Sequence, residues 1–230
     1  MAETLPPIST FAELRAAETA CRRCSLYRDA TQVVPGEGPA PARLMLVGEQ
    51  PGDQEDIRGR PFVGPAGRVL DRAIAEAGIE RGEVFVTNAV KHFKWGPRGK
   101  RRLHKKPSAY EIDRCRWWSD IERAIVQPAL TVALGASAAA SLLGRSVTIA
   151  RVRGALIEGR GGARVVVTIH PSFILRIEDE GATAREYDRF VADLRFCAEH
   201  LRTAARRLAN GSEPGDPALP ETLATVRSFR

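Results

Sequence analysis

Arg43-Leu-Met-Leu-Val-Gly48, followed at once by Glu49-Gln-Pro-Gly-Asp53, is the stretch on which the fold of this chain turns. A nearly continuous apolar run that ends in glycine and breaks into a Gly-, Pro- and Asp-rich loop is the pattern of a strand buried on both faces of a parallel sheet. Outward from it, Ala66, Val69, Leu70, Ile74 and Ala77 keep helical spacing. Glu83-Val-Phe-Val-Thr-Asn-Ala-Val90 repeats the strand pattern, as do Leu130-Thr-Val-Ala-Leu-Gly135 and Arg164-Val-Val-Val-Thr-Ile169. Val152 to Ile157 reads as an edge strand. Between these lie a helix from Ser108 to about Val126, with Ser108 and Glu111 spaced as a capping box, and a small-residue helix from Ala136 to Leu143. A short helix from Phe11 to Cys21, capped by Ser9 and supported by Glu13, opens the chain, and a long one from Ala184 to Leu208 closes it. Strands alternating with helices predict an α/β fold: a three-layer sandwich whose central, mostly parallel four-stranded sheet is flanked by helices.

The 230 residues suit one such domain, expected over residues 1–208, with a flexible Gly- and Pro-rich tail over 209–230. An apolar share of 43% with 27% charged residues excludes wholesale disorder. Runs such as Val84–Val90 and Thr131–Ala140 fall short of the roughly 18 apolar residues a membrane helix needs. Met1-Ala-Glu-Thr-Leu-Pro-Pro carries no basic segment followed by an apolar one. A cytoplasmic, reducing setting and a monomer are expected, with no membrane partner. There the four cysteines read as ligands rather than disulfides.

The net charge of +7 is not spread evenly. Lys91, Lys94, Arg98, Lys100, Arg101, Arg102, Lys105 and Lys106 precede Tyr110 with no acidic residue among them, so this one segment carries the whole excess. A mobile cationic loop of that density suits a phosphate backbone, although other polyanions and plain solvation share the signature.

The α/β rule gathers strand ends into one crevice. Glu49 to Asp53 follow the first strand, Asn88 to His92 the second, and His170-Pro-Ser172 the last. Cys21-Arg-Arg-Cys24 has the spacing that lets two sulfurs reach one metal or cluster. Cys115 lies early in the helix after the basic segment, and His92 at that segment's stem is the candidate fourth ligand. Cys197, among the apolar residues of the last helix, reads as a buried, inert thiol, and His200 as a surface residue. Spacing alone leaves zinc and an iron–sulfur cluster both open.

Gly48-Glu-Gln-Pro-Gly-Asp-Gln-Glu-Asp56, Gly59-Arg-Pro-Phe-Val-Gly-Pro-Ala-Gly67, Thr87-Asn-Ala-Val-Lys91 and His170-Pro-Ser172, in that order, resemble the uracil-DNA glycosylase superfamily, closest to its iron–sulfur (family 4) branch. Lys100-Arg-Arg-Leu-His104 resembles the insertion of the UdgX type, which cross-links itself to uracil-containing DNA. The resemblance runs from about Cys21 to the final helix. It departs from family 4 at Gln50, where that branch usually has Ala, and at His92, where it has Cys. It implies a 4Fe-4S cluster on Cys21, Cys24, His92 and Cys115. It also implies a base pocket of Gly48, Gln50, Gly52, Asp56, Phe62 and Asn88, and DNA contacts from Lys100, Arg101, Arg102, Lys105 and Ser172, with Arg102 fixing the loop either by ion pairing or by that phosphate contact. Uracil-containing DNA, single strands favoured, is the implied partner.

The implied chemistry is cleavage of an N-glycosidic bond after the nucleotide is flipped from the stack. Phe62 would stack on the base, and Asn88 would read O4 and N3–H, a pattern cytosine reverses. His170 would donate to O2 as the uracil leaves as an anion. His104 would attack C1′ and stay joined to it, Glu49 would take up its proton, and the flanking cations would favour a neutral imidazole. Two alternatives stand beside this: a turnover glycosylase in which Glu49 directs water, and a non-enzymatic iron–sulfur or zinc protein that senses nucleic acid.

Overall fold

The computed structural model describes residues 8–209. In chain order these form α1 (Phe11–Thr19), β1 (Leu44–Gly48), α2 (Asp53–Arg58), α3 (Pro65–Glu76), β2 (Val84–Asn88), β3 (Trp95–Arg98), β4 (Arg101–His104) and α4 (Ala109–Val126). There follow β5 (Leu130–Leu134), α5 (Ala136–Leu143), α6 (Ile149–Val152), β6 (Leu156–Glu158), β7 (Arg164–Thr168), α7 (Pro171–Ile174) and α8 (Glu180–Ala209).

The expected sheet is present, in the order β2-β1-β5-β7-β6. Its four central strands are parallel, and the edge strand β6 runs antiparallel to β7, bringing the total to five. Side-chain alternation along β1 sorts the layers. Leu44 and Leu46 join Leu70 and Ile74 of α3 and Phe190 and Leu194 of α8 on one face. Met45 and Val47 join Ala138, Ala139 and Leu142 of α5 on the other. A third cluster places Leu14 of α1 against Cys21, Val90 and the Ile112, Cys115 and Trp118 side chains of α4. Among the described residues no helix is long and apolar enough to cross a membrane.

Several local expectations need correction. Thr10, not Ser9, caps α1: its hydroxyl accepts from Glu13 N–H at 3.2 Å, while the Glu13 carboxylate accepts from the Ser9 and Thr10 amides. The Ser108–Glu111 box on α4 is as expected. Residues 149–152 form a short helix, so the edge strand begins only at Leu156. α8 starts at Glu180, four residues earlier than its apolar pattern suggested. The largest correction concerns the cationic segment. It is not a mobile loop but an antiparallel hairpin in which Trp95 faces His104 and Arg98 faces Arg101, closed by a two-residue turn with Gly99 at φ +58°. The expected tail lies outside the described residues, Ala209 excepted.

Candidate active site

β1 is followed in sequence by β2 on one side of it, while β5 flanks its other side, so the carboxyl ends of β1 and β5 open a crevice at the point where strand order reverses. A cleft of about 870 Å³ opens there, with Glu49, Asn88, Phe62, His104, Gly135 and His170 in its walls. The walls close through glycine. A Cβ on Gly48 would stand 2.3 Å from Asn88 Oδ1 and 2.7 Å from Phe62 Cζ. Phe62 is a non-glycine residue at φ +57°, a strained backbone that its surroundings must hold in place. Part of that hold is Gly67, whose missing Cβ would lie 1.6 Å from the Phe62 carbonyl oxygen. The Phe62 ring stacks near His170, with centroids 6.1 Å apart.

His170 Nδ1 accepts the Ser172 N–H at 3.2 Å and contacts the Ser172 hydroxyl at 2.8 Å. The ring proton of neutral His170 therefore sits on Nε2. Burial pushes its pKa down to about 4, against the opposing pull of Glu49, so the ring is a neutral donor near pH 7. Glu49 is gripped at both oxygens. His104 Nε2 lies 3.2 Å from Oε1, and the Ser137 hydroxyl donates to Oε2 at 2.5 Å. Burial pushes the Glu49 carboxyl up, but the hydrogen bonds from His104 and Ser137 outweigh it and hold the group below its usual range. Ser137 escaped the sequence reading; its place two residues beyond the glycine that ends the β5 segment was the available signal.

His104 reaches this wall because the hairpin is fastened. The Gln50 amide nitrogen donates to the carbonyls of Lys94 and Lys105, and its oxygen accepts from Lys94 N–H at 3.2 Å, which ties both stems to the loop after β1. Arg102 Nε donates to Asp53 at 2.7 Å and Nη1 to Asp56 at 2.6 Å, with the guanidinium over Phe93 and Trp95. One expectation changes here: Asp56, 0% exposed, lies under Arg102 and not in the cleft. Gln50 borders the cleft, with its side-chain amide committed to the hairpin. Of the two roles expected for Arg102, ion pairing is the one present. Two more of the eight cations are also spent: Lys91 is buried on Glu122 at 2.6 Å, and Lys94 pairs with Glu111 at 2.8 Å. Lys91 Nζ also donates to the Asn88 carbonyl at 3.0 Å and so braces that residue. Arg98, Lys100, Arg101, Lys105 and Lys106 remain exposed.

A family model for the uracil DNA glycosylase superfamily matches residues 35–195. The chain belongs to the uracil-DNA glycosylase superfamily. It is 40% identical to the type-4 uracil-DNA glycosylase of Thermotoga maritima over 157 residues, which is 68% of this chain and 78% of that protein. It is 37% identical to the type-4 enzyme of Pyrobaculum aerophilum over 163 residues, 68% of this chain and 80% of that protein. For the type-4 enzyme of Archaeoglobus fulgidus the figures are 34% over 162 residues, 67% and 78%.

The superfamily match begins downstream of Cys21 and Cys24, which lie with Cys115 in the α1–α4 cluster. Trp118 Nε1–H donates to Cys21 Sγ at 3.3 Å, and Lys91 N–H to Cys115 Sγ at 3.2 Å. Burial pushes the Cys115 thiol up to about 12, and Cys21 and Cys24 stand near enough to add to that rise. His92 is 5% exposed, and burial lowers its pKa to about 4, so it is neutral and able to ligate. Among the described residues no three His, Cys, Asp or Glu side chains stand close enough together to hold one metal ion. Cys197 is 0% exposed in the main core, as expected, while His200 is half-buried rather than on the surface.

Proposed function

We propose that this chain is a uracil-DNA glycosylase of the UdgX type, which excises uracil from DNA and remains joined to the abasic C1′ through His104. The observation that carries this is the pairing of His104 Nε2 with Glu49 Oε1 at 3.2 Å in the wall of a cleft that also presents Asn88, Phe62 and His170. Phe62 stacks on the flipped base, and the Asn88 amide donates to O4 and accepts from N3–H. His170 donates its Nε2 proton to O2. The C1′–N1 bond breaks with its electron pair going to the uracil, whose charge grows against that donor. His104 Nε2 gives its proton to Glu49 and bonds to C1′, leaving a Glu49 carboxylic acid, a uracil anion and a sugar joined to the ring. Single strands are the favoured substrate because flipping costs least there. Lys100, Arg101 and Lys105, with Ser172, contact the backbone of a DNA bound by a monomer.

Cys21, Cys24, Cys115 and His92 would hold a 4Fe-4S cluster. Three sulfurs in one apolar cluster, two of them accepting N–H bonds, and a buried, neutral His92 two residues after Val90 of that cluster suit it. Ligands around a cube of iron and sulfur stand farther apart than those on a single ion. The cluster would supply a structural tie between α1, α4 and the hairpin stem.

The test is a denaturing gel of protein mixed with a uracil-containing oligonucleotide. Wild type gives a heat-stable adduct and His104→Ala gives none. An adduct that persists in His104→Ala, or wild type that releases uracil with turnover and no adduct, overturns the proposal.

A further inference from the structure

We infer that Ser137 is a positioning residue that commits Glu49 to His104 rather than to water; this rests on the proposed covalent reaction. A carboxylate that serves a nucleophile can serve a water equally well unless its geometry forbids it. Here the two oxygens of Glu49 face opposite partners, His104 Nε2 on Oε1 and the Ser137 hydroxyl on Oε2. Ser137 is 2% exposed, on the second residue of α5, across the sheet's reversal point from Glu49. Its hydroxyl fills the acceptor site on Oε2 to which a water would otherwise donate. The other group acting on Glu49 is His170, which is neutral and turned to Ser172.

The step balances without Ser137 giving up its proton. Its O–H donates throughout, first to the Glu49 carboxylate and then to the carboxylic acid formed when the His104 proton arrives. Losing it frees Oε2, loosens the carboxylate and admits water. The cleaved sugar then divides between two nucleophiles, the imidazole and water, and abasic product appears beside the adduct.

Ser137→Ala, flanked by Ala136 and Ala138, keeps the helix intact. In single-turnover reactions with a uracil oligonucleotide, the ratio of free abasic product to adduct should rise about tenfold, the scale of one charge-assisted hydrogen bond. The acidic limb of the rate profile should move to higher pH, because a donor to the carboxylate is gone. In a Glu49→Gln background the same substitution should change neither quantity, which separates action through Glu49 from a packing defect. An unchanged ratio and an unmoved limb in Ser137→Ala overturn the inference, as does an equal effect with Glu49→Gln. A wild type that turns over without adduct overturns the covalent reading instead, and the pH limb of uracil release then still decides whether Ser137 acts on Glu49.

Discussion

Arg102→Ala separates fastening from DNA contact. The substitution removes the 2.7 Å and 2.6 Å bonds to Asp53 and Asp56, a 3.1 Å bond to Thr31 Oγ1, and the guanidinium over Phe93 and Trp95. Among the described residues it leaves the Asp56 carboxylate, 0% exposed, with only the Thr31 N–H at 3.0 Å. Stripping one partner from a buried pair costs about 3–5 kcal/mol. With the Arg102 side chain 21% exposed, the lower end, about 3 kcal/mol, applies. That loss falls on the hairpin, which then keeps the Gln50 bonds and the Lys105 N–H to Lys94 carbonyl bond at its stem. At about 1.4 kcal/mol per tenfold, the equilibrium constant for seating His104 drops roughly 100-fold, and adduct formation at saturating DNA falls by up to that factor. The oligonucleotide-binding salt slope stays at its wild-type value, because Arg102 is already neutralised. Lys105→Ala, which removes an exposed cation, should instead flatten that slope by about 0.7. The reasoning is refuted if Arg102→Ala flattens the slope by that amount while forming adduct at the wild-type rate.

Gly48→Ala places a methyl group 2.3 Å from Asn88 Oδ1 and 2.7 Å from Phe62 Cζ at a residue whose own backbone tolerates alanine. Overpacking of this kind costs about 1–3 kcal/mol, so the protein stays folded by circular dichroism while single-turnover uracil release falls about 100-fold from a misplaced pocket wall. A wild-type rate would show that Asn88 and Phe62 do not need that contact. His170, with its pKa pushed to about 4 by burial, takes up a proton later than it would in the unfolded chain as pH falls. Unfolding free energy should therefore drop by about 3 kcal/mol between pH 6.5 and 4 from this group, and denaturant titrations of His170→Gln should lack that portion.

The parallel sheet was legible because strands covered on both faces must be largely apolar, and β1, β2, β5 and β7 are, with at most two polar residues in each. The strand-end rule then found Glu49, Asn88 and His170, whose positions follow from topology alone. The hairpin was not legible, for a physical reason. Its side chains are mostly cations, with one tryptophan, one proline, Leu103 and His104 and no alternating apolar face, and what holds it together lies elsewhere in sequence, on Gln50, Asp53 and Asp56. Charge counting failed in the same way. Lys91, Lys94 and Arg102 look like surface cations until Glu122, Glu111 and the two aspartates are brought beside them.

Those hidden pairings gather on one short segment. Glu49, Gln50, Asp53 and Asp56 lie in the loop after β1 and the helix it enters. In the proposed reaction the first takes the proton of His104, and the other three hold the hairpin that carries His104. The acid and the clasp therefore move together. Any shift of this loop relative to β1 changes the His104–Glu49 distance less than it changes either residue's distance to the base pocket, because both ends of the pair ride on the same segment. Asn88, Phe62 and His170 are instead anchored to the sheet and to the glycines beneath it. In the proposed reaction, base recognition and bond formation thus rest on separate supports, and this is why Arg102→Ala should slow adduct formation at an unchanged binding salt slope, while Gly48→Ala should slow uracil release itself.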